Sequence, residues 1–248
     1  MSSRPFPVSV SVSVSVVVPA LNEAANLPHV FATLPSWIDE VILVDGNSTD
    51  DTVAVARSLR PALRVVVQTR RGKGNALAEG FAAATGDIIV MIDADGSTDG
   101  REILAFVTAL VEGADFAKGS RYAPGGGSDD LSPMRSLGNR ALTMITNGLH
   151  GTRYTDLCYG YNAFWARHLD ALGLDCDGFE VETLMNIRAA RAGLVIREVP
   201  SHERSRIHGV SNLNAVRDGW RVLRTILRER RSHRTAESSA PVRAAATI

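Results

Sequence analysis

Short apolar segments of strand length alternate with longer segments of helical pattern along the first half of the chain. Strands are predicted at 8–18, 38–44, 63–68 and 87–92, and helices at 22–34, 51–59, 72–85 and 99–112. Pro19 is expected to end the first strand, and Gly86 to follow the third helix in the position that closes it. Strands that alternate with helices are typical of βαβ units with parallel pairing. The sequence therefore predicts an α/β fold with a mainly parallel sheet between helices.

Three of the predicted strands are followed by polar and small residues, at 19–23, 45–50 and 93–99. In open parallel sheets, ligands bind beyond the carboxyl ends of the strands. Since these three segments come from separate strands, we expect them to meet at one edge of the sheet and to form a binding site there.

The second half of the chain is less regular. We predict strands at 114–118 and 195–199, helices at 134–149 and 179–192, and a loop rich in Gly, Pro and Asp at 122–133. The expected organisation is a disordered lead-in at 1–11, one domain at 12–212, a basic amphipathic helix at 213–231 and a disordered tail at 232–248.

Composition excludes several classes of protein. Lys plus Arg and Asp plus Glu both number 27 in a chain of 248 residues, so no overall charge favours nucleic acid as a partner. Cys158 and Cys176 have neither the number nor the spacing of a disulfide framework or a zinc site. No apolar run reaches the roughly 18 residues that a membrane span needs, and the Ser/Val alternation near the N-terminus is unlike a signal peptide. A soluble, cytoplasmic protein is expected.

Asp93 and Asp95 follow an apolar strand two residues apart, so their side chains emerge on the same side. Two neighbouring carboxylates are unfavourable unless a cation or a proton separates them. Mg²⁺ or Mn²⁺ is held by one or two carboxylates and completes its shell with substrate phosphates, so that it can stabilise a departing diphosphate. The alternative is that one aspartate caps the next helix and the other is solvated, but Asp99 is the better candidate for that cap.

Five motifs, in this order, resemble the family-2 glycosyltransferases of GT-A fold. The closest resemblance within that family is to the dolichyl-phosphate (polyprenyl-phosphate) mannose synthases. The motifs lie at 18–23, 44–50, 93–95 (Asp-Ala-Asp), 119–122 (Gly-Ser-Arg-Tyr) and 206–212, and the resemblance covers about residues 12 to 213. It implies a single GT-A domain with a mixed, mainly parallel sheet, and a metal-dependent inverting transfer of a hexose from a nucleotide sugar.

The resemblance also implies the residues of the donor site. The nucleotide pocket would comprise Pro19, Ala20, Asn22, Glu23, Asp45, Lys73 and Asp93. Asp93 and Asp95 would hold the metal, and Ser97 stands where some members have a third, amide ligand. Local alternatives exist: Asn22 and Glu23 would suit the start of a helix, Asp45 a turn, and Lys73 a solvated first turn.

For the acceptor, the resemblance implies that Arg121, Arg135 and Arg206 hold the phosphate of a lipid. The planar guanidinium forms paired hydrogen bonds with phosphate oxygens and stays charged. The alternative is that these arginines pair with local acids such as Asp129, Asp130 and Glu203. Asn212 stands where this branch often has lysine.

The identity of the acceptor decides whether a general base is needed. A phosphate is already ionised near neutral pH, whereas an alcohol must lose a proton. Asp156 is the first candidate for that base, followed by Glu180 and Glu182. Together with Asp95 and Arg121, Asp156 completes the predicted catalytic set.

Two functional hypotheses follow for a glycosyltransferase of this kind. The first is transfer from GDP-mannose or UDP-glucose to polyprenyl phosphate, and the second is transfer from the same donors to a soluble alcohol such as a specialised metabolite. A nucleotidyltransferase would need a Gly-rich loop with an arginine after the first strand, which residues 19–23 do not provide. A non-catalytic binding module would have no use for the aspartate pair.

The C-terminal segment carries apolar residues at helical spacing beside a row of arginines. They are Leu213, Val216, Trp220, Leu223 and Leu227, with Arg217, Arg221, Arg224 and Arg228 on the neighbouring face. This pattern is typical of a helix that lies on a membrane surface, although the same stripe would also suit a helix that closes the core. The protein is therefore expected either free in the cytoplasm or peripheral on the cytoplasmic face of a membrane.

Overall fold

The computed structural model describes residues 12–239, with side chains to residue 232, and a seven-stranded sheet lies at its centre. The strands are β1 (Val14–Ala20), β2 (Glu40–Asp45), β3 (Arg64–Val67), β4 (Ile88–Met91), β5 (Phe116–Ser120), β7 (Asn162–Trp165) and β8 (Ile196–Pro200). Their spatial order is β3-β2-β1-β4-β7-β5-β8. Only β7 runs antiparallel, and it separates β4 from β5. The prediction of a mixed, mainly parallel α/β sheet is confirmed.

Helices cover both faces of this sheet. They are α1 (Leu27–Thr33), α2 (Thr52–Leu59), α3 (Lys73–Ala83), α4 (Ile103–Val111), α5 (Pro133–His150), α6 (Leu169–Leu172), α7 (Val181–Arg191) and α8 (Ala215–Ser239), with 3-10 turns at Gly100–Glu102 and Ala166–His168. Two short strands, β6 (Gly127–Ser128) and β9 (His202–Glu203), pair in parallel outside the main sheet.

The core lies on both sides of the central strands, because successive side chains of a strand point to opposite faces. Val16 and Val18 of β1 belong to the cluster that contains Phe106 of α4. Val17 belongs to the cluster on the other face, with Phe81 of α3. A strand that is buried on both faces reads as a continuous apolar run, which explains the run of valines in β1.

The start of the chain differs from the prediction in two places. Pro19 does not end β1, because the strand continues to Ala20. Strand β4 pairs with β1 only as far as Val17. At Pro19, β1 therefore has a neighbouring strand, β2, on one side only. Proline is tolerated where one side of a strand needs no hydrogen bond. Asn22 does not open a helix either: its φ is +57°, in the left-handed region, and α1 begins at Leu27.

Other differences lie at element ends. Gly86 does not close α3, because the helix ends at Ala83 and an extended residue follows it. The N–H of Gly86 instead donates to the Ser15 hydroxyl of β1. Strand β7 was not predicted, since four residues give too short a pattern. Helix α8 continues beyond its expected end at residue 231, to Ser239. Two predicted segments lie outside the described residues: the lead-in at 1–11 and the last part of the tail, 240–248. Between residues 12 and 239, no helix has the length and hydropathy of a membrane span.

Gly80 allows α3 to lie directly on the sheet. A Cβ at this position would overlap the Val17 side chain and approach Cγ2 of Val44 to 2.7 Å. Both valines are buried and stiff at χ1, so neither can turn away.

We therefore predict that Gly80→Ala lowers the free energy of unfolding by about 1–3 kcal/mol through overpacking, in spite of the roughly 1 kcal/mol by which alanine favours a helix. Urea denaturation measures the change. Gly148→Ala is the matched control, because a Cβ at Gly148 of α5 meets nothing within 4 Å. A Gly80→Ala protein as stable as this control would contradict the packing described here.

Candidate active site

A cavity of about 690 Å³ opens at the carboxyl ends of β1, β4 and β5. This volume is typical of a small-molecule site. Of the residues predicted from the sequence, it is lined by Pro19, Ala20, Glu23, Lys73, Asp93, Asp95, Arg121, Arg135 and Arg206. Asn22, Asp45 and Asp156 are not among its lining residues. Gly46, from the segment after the second strand, also lines the cavity. All three polar segments predicted to meet at the edge of the sheet therefore contribute to one site.

Asp93 lies beside a lysine that two acids share. The Nζ of Lys73 is 2.6 Å from Oδ1 of Asp93 and 2.8 Å from Oε1 of Glu182 on α7. Burial by itself would lower the pKa of Lys73, but the two carboxylates outweigh it and raise that pKa above its usual range. Burial raises the pKa of Asp93, and the nearby carboxylates of Asp95 and Glu182 add to that effect, which outweighs the opposing attraction of Lys73. Lys73 is therefore a fixed positive charge at the base of the cavity.

Asp95 faces a second cation. The Nη2 of Arg206 lies 3.5 Å from Oδ2 of Asp95 and 2.9 Å from Oε1 of Glu23, and Nη1 donates to the other oxygen of Glu23 at 3.0 Å. Glu23 also accepts from the side-chain amide of Asn26. The motif after β1 thus contributes a carboxylate that orients Arg206, and this arginine in turn faces Asp95.

Backbone hydrogen bonds bring Arg206 to the acid pair. The N–H of Ile207 donates to the carbonyl of Asp95, and the N–H of Arg204 donates to the carbonyl of Ser97. Between them, Gly96 has φ +79°, and a Cβ there would approach Cδ1 of Ile207 to 2.5 Å. The positive φ favours glycine at position 96, and a larger residue there would also displace the end of the Ile207 side chain.

Asn22 and Asp45 organise the loops behind the cavity. The side-chain oxygen of Asn22 accepts from the N–H of Thr49 at 2.7 Å, and its own N–H donates to the Ser48 hydroxyl. Asp45 is buried, and its carboxylate accepts from the N–H of Ser48 at 3.2 Å. These contacts match the turn-forming alternative for Asp45 and connect the loop after β1 to the loop after β2. Asp99 accepts from the N–H of Arg101 and caps the 3-10 turn, as the sequence predicts.

The carboxyl end of β5 carries a buried ion pair. Arg121 donates from Nε and Nη2 to the two oxygens of Asp156, at 2.7 and 2.9 Å, and from Nη1 to Glu203 at 3.0 Å. Its guanidinium lies 4.9 Å from the centre of the Tyr159 ring. Asp156 is fully buried; burial would raise its pKa, but Arg121 and the nearby Lys118 hold that pKa below its usual value. Asp156 therefore holds Arg121 in place as a permanent anion.

Helix α5 supplies Asn139, a site residue that was not predicted from the sequence. Asn139 donates from its amide to Asp156 at 2.9 Å and accepts from the N–H of Cys158. Arg135, one turn earlier, pairs with the half-exposed Asp130 at 2.8 Å. The sequence does carry a signal for Asn139, because Asn139, Thr143 and Thr146 recur at helical spacing and are all buried.

The donor set of the cavity fits a divalent cation that binds together with a diphosphate. No group of three or more His, Cys, Asp or Glu residues arranged to hold a metal occurs in the part of the chain that the structure describes. Mg²⁺ needs only one or two protein carboxylates when phosphates and water complete its shell. The connected side chains comprise four acids, Glu23, Asp93, Asp95 and Glu182, against two cations, Lys73 and Arg206. Their net formal charge of −2 is one that a single divalent cation would neutralise.

The fold and this site define a GT-A glycosyltransferase. The profile of the family described as glycosyl transferase family 2 matches residues 15–172, and the chain belongs to that family. Its place in the branch similar to polyprenyl-phosphate mannose synthases is supported by two relatives. Polyprenol monophosphomannose synthase of Mycolicibacterium smegmatis is 31% identical over 212 residues, which are 80% of each chain. Glycosyltransferase AglJ of Haloferax volcanii is 29% identical over 227 residues, covering 88% of this chain and 72% of that protein.

Solved structures agree with this assignment. Glucosyl-3-phosphoglycerate synthase from Mycobacterium tuberculosis, in complex with Mn²⁺, UDP-glucose and glycerol 3-phosphate, superposes with a TM-score of 0.70 at 27% identity. The match covers 92% of this chain and 86% of that one. The GT-A fold and the glycosyltransferase class predicted from the motifs are confirmed.

We predict that Asp156→Ala lowers the free energy of unfolding by about 3–5 kcal/mol, because it leaves the buried Arg121 without its main counterion. Urea denaturation followed by circular dichroism measures the loss. Asp130→Ala, which removes the partner of Arg135 at the surface, is the control and should cost less than about 1 kcal/mol. Equal effects of the two substitutions would contradict the buried character of the Arg121–Asp156 pair.

Proposed function

We propose that this glycosyltransferase transfers a hexose from a nucleoside diphosphate sugar, GDP-mannose or UDP-glucose, to polyprenyl phosphate with inversion. The observation that carries the proposal is the make-up of the cavity. Its lining combines the acid pair, the three arginines and apolar residues of α5 and α8, namely Met134, Leu142, Val216 and Val222. A sugar diphosphate, a phosphate and an apolar chain would each find matching residues in this one cavity.

At the donor end, Asp93 and Asp95 would hold Mg²⁺ or Mn²⁺, which supplies positive charge to the leaving diphosphate. Pro19 and Ala20 would border the nucleotide. Asn22 and Asp45 would act through the loops that they hold together. Lys73 would keep Asp93 oriented, and its fixed charge would also attract the diphosphate.

At the acceptor end, the arginines keep N–H groups for a phosphate. Three of the five N–H groups of Arg121 bond to acids, which leaves two. In Arg206, the buried Nε has no hydrogen-bond partner among the described residues. Arg135 bonds through Nη1 alone. Each arginine is thus paired with an acid, which was the alternative to phosphate binding. Each nevertheless keeps N–H groups that could donate to an anion.

The three acids predicted as candidate general bases favour a phosphate acceptor over an alcohol. Both oxygens of Asp156 accept from Arg121, and Asn139 occupies one of them as well, so Asp156 does not suit a general base. Glu182 is paired with Lys73, and Glu180 does not line the cavity. A phosphate oxygen needs no base: it would attack the anomeric carbon from one side while the bond to the diphosphate breaks on the other.

Asp95→Asn should reduce turnover at least a hundredfold and leave the fold intact, because it weakens the carboxylate pair that would hold the metal. The assay is the release of nucleoside diphosphate from a panel of UDP- and GDP-sugars with Mg²⁺ or Mn²⁺. Asp50→Asn, an acid in a neighbouring turn outside the cavity lining, is the control. Full activity in the presence of a chelator would refute the metal-dependent mechanism.

Arg135→Gln should raise the KM for a short-chain polyprenyl phosphate about tenfold with little change in kcat, since it removes one charge-assisted phosphate contact. Arg140→Gln, on the same helix but outside the cavity lining, should leave this KM unchanged. Faster turnover with uncharged alcohols than with polyprenyl phosphate would instead support the soluble-acceptor alternative.

A further inference from the structure

Helix α5 presents its apolar side to solvent. Met134, Leu137 and Met144 are 72%, 70% and 71% exposed, while Asn139 and Thr143 on the opposite side are buried. A surface helix normally has the reverse arrangement. The polar side is explained by the site, because Asn139 holds Asp156. Nothing in the rest of the described chain covers the apolar side.

Helix α8 extends this apolar surface. Val216, Trp220 and Leu227 are 79%, 63% and 43% exposed. The two helices pack together through a small core that includes Leu142 of α5 and Val222 of α8. Met134 and Val216 line the same cavity, so the exposed sides of the two helices adjoin. We call Met134, Leu137, Met144, Val216, Trp220 and Leu227 the α5–α8 face.

The exposed charges carried by the two helices themselves have one sign, and Asp175, an exposed acid from outside them, pairs with Arg228. Helix α5 contains no acid, and the only acids of α8 up to residue 232 are Asp218 and Glu229, each 2% exposed and paired with arginines. The exposed charged residues of the two helices over the same range are all arginine: Arg140, Arg217, Arg221, Arg224, Arg228 and Arg231. The face is therefore apolar with a positively charged border.

We infer that the α5–α8 face docks the protein on the surface of an anionic lipid bilayer. Apolar side chains, including a tryptophan, would enter the interface between headgroups and acyl chains, and the arginines would meet anionic headgroups. A second copy of the chain fits less well, because a two-fold contact sets the same patch against itself and would bring arginines against arginines.

Docking in this way places the α5 and α8 residues of the cavity lining at the bilayer. Leu131, Met134 and Val216 line the cavity together with Arg135. A ligand with an apolar tail could then reach the arginines without crossing water. The inference concerns attachment of the protein and would stand if the proposed acceptor were wrong.

The test is co-sedimentation of the full-length protein with vesicles of phosphatidylcholine alone or mixed with phosphatidylglycerol, without donor or acceptor. Binding is expected with the anionic vesicles only and should weaken as salt is added. The double substitution Leu137→Glu with Met144→Glu should reduce the partition coefficient at least tenfold. Arg224→Gln should reduce it about fivefold, the effect of roughly one kcal/mol per arginine.

The matched control is the double substitution Leu104→Glu with Val111→Glu on α4. The Leu104 and Val111 side chains are each 59% exposed, on another part of the surface. This control should bind vesicles like the unmodified chain. Thermal unfolding of each variant, monitored by circular dichroism, confirms that it is folded. Equal binding by the two double variants, or no binding to anionic vesicles, would overturn the inference. So would a dimer in analytical ultracentrifugation that the α5 double variant abolishes while vesicle binding is absent.

Discussion

The acids that follow β4 depend on cations from distant parts of the chain. Lys73 at the start of α3 is shared by Asp93 and Glu182, and Arg206, in the segment before α8, lies against Asp95. Carboxylates at this spacing repel one another, and burial increases the cost. The two cations reduce that repulsion but leave an excess of negative charge. Such an excess would favour the binding of a further cation, and the same ion pairs connect the loops around the site.

The part of the cavity near β5 relies on a second, separate group of charges. Arg121 at the end of β5 is fixed by Asp156 and Glu203, and the antiparallel strand β7 lies between β4 and β5. This insertion sets the spacing between the acid pair and Arg121. Because both arginine-bearing segments are held by buried acids, the guanidinium groups are oriented before any ligand binds, which lowers the entropic cost of binding an anion.

Helix α5 connects the site to the surface. Its buried side carries Asn139, which supports Asp156, and this leaves its apolar residues facing outward beside those of α8. In an isolated soluble protein such an arrangement reduces stability, since the exposed residues gain no burial. It becomes favourable when the outer side meets a non-aqueous phase, so the inverted polarity of α5 is what the proposed attachment to a lipid surface would explain.

The sequence by itself determined the class of fold, the edge of the sheet that carries the site, and the acid pair. These follow from local periodicity and from residues that adjoin in the chain, as in Asp93 and Asp95. Only the tertiary structure decided how each side chain is used. The backbone of Asn22 has a left-handed conformation, and Asp156 forms a buried ion pair with Arg121. These outcomes depend on contacts between segments far apart in the chain, where burial and charge compensation outweigh local preference.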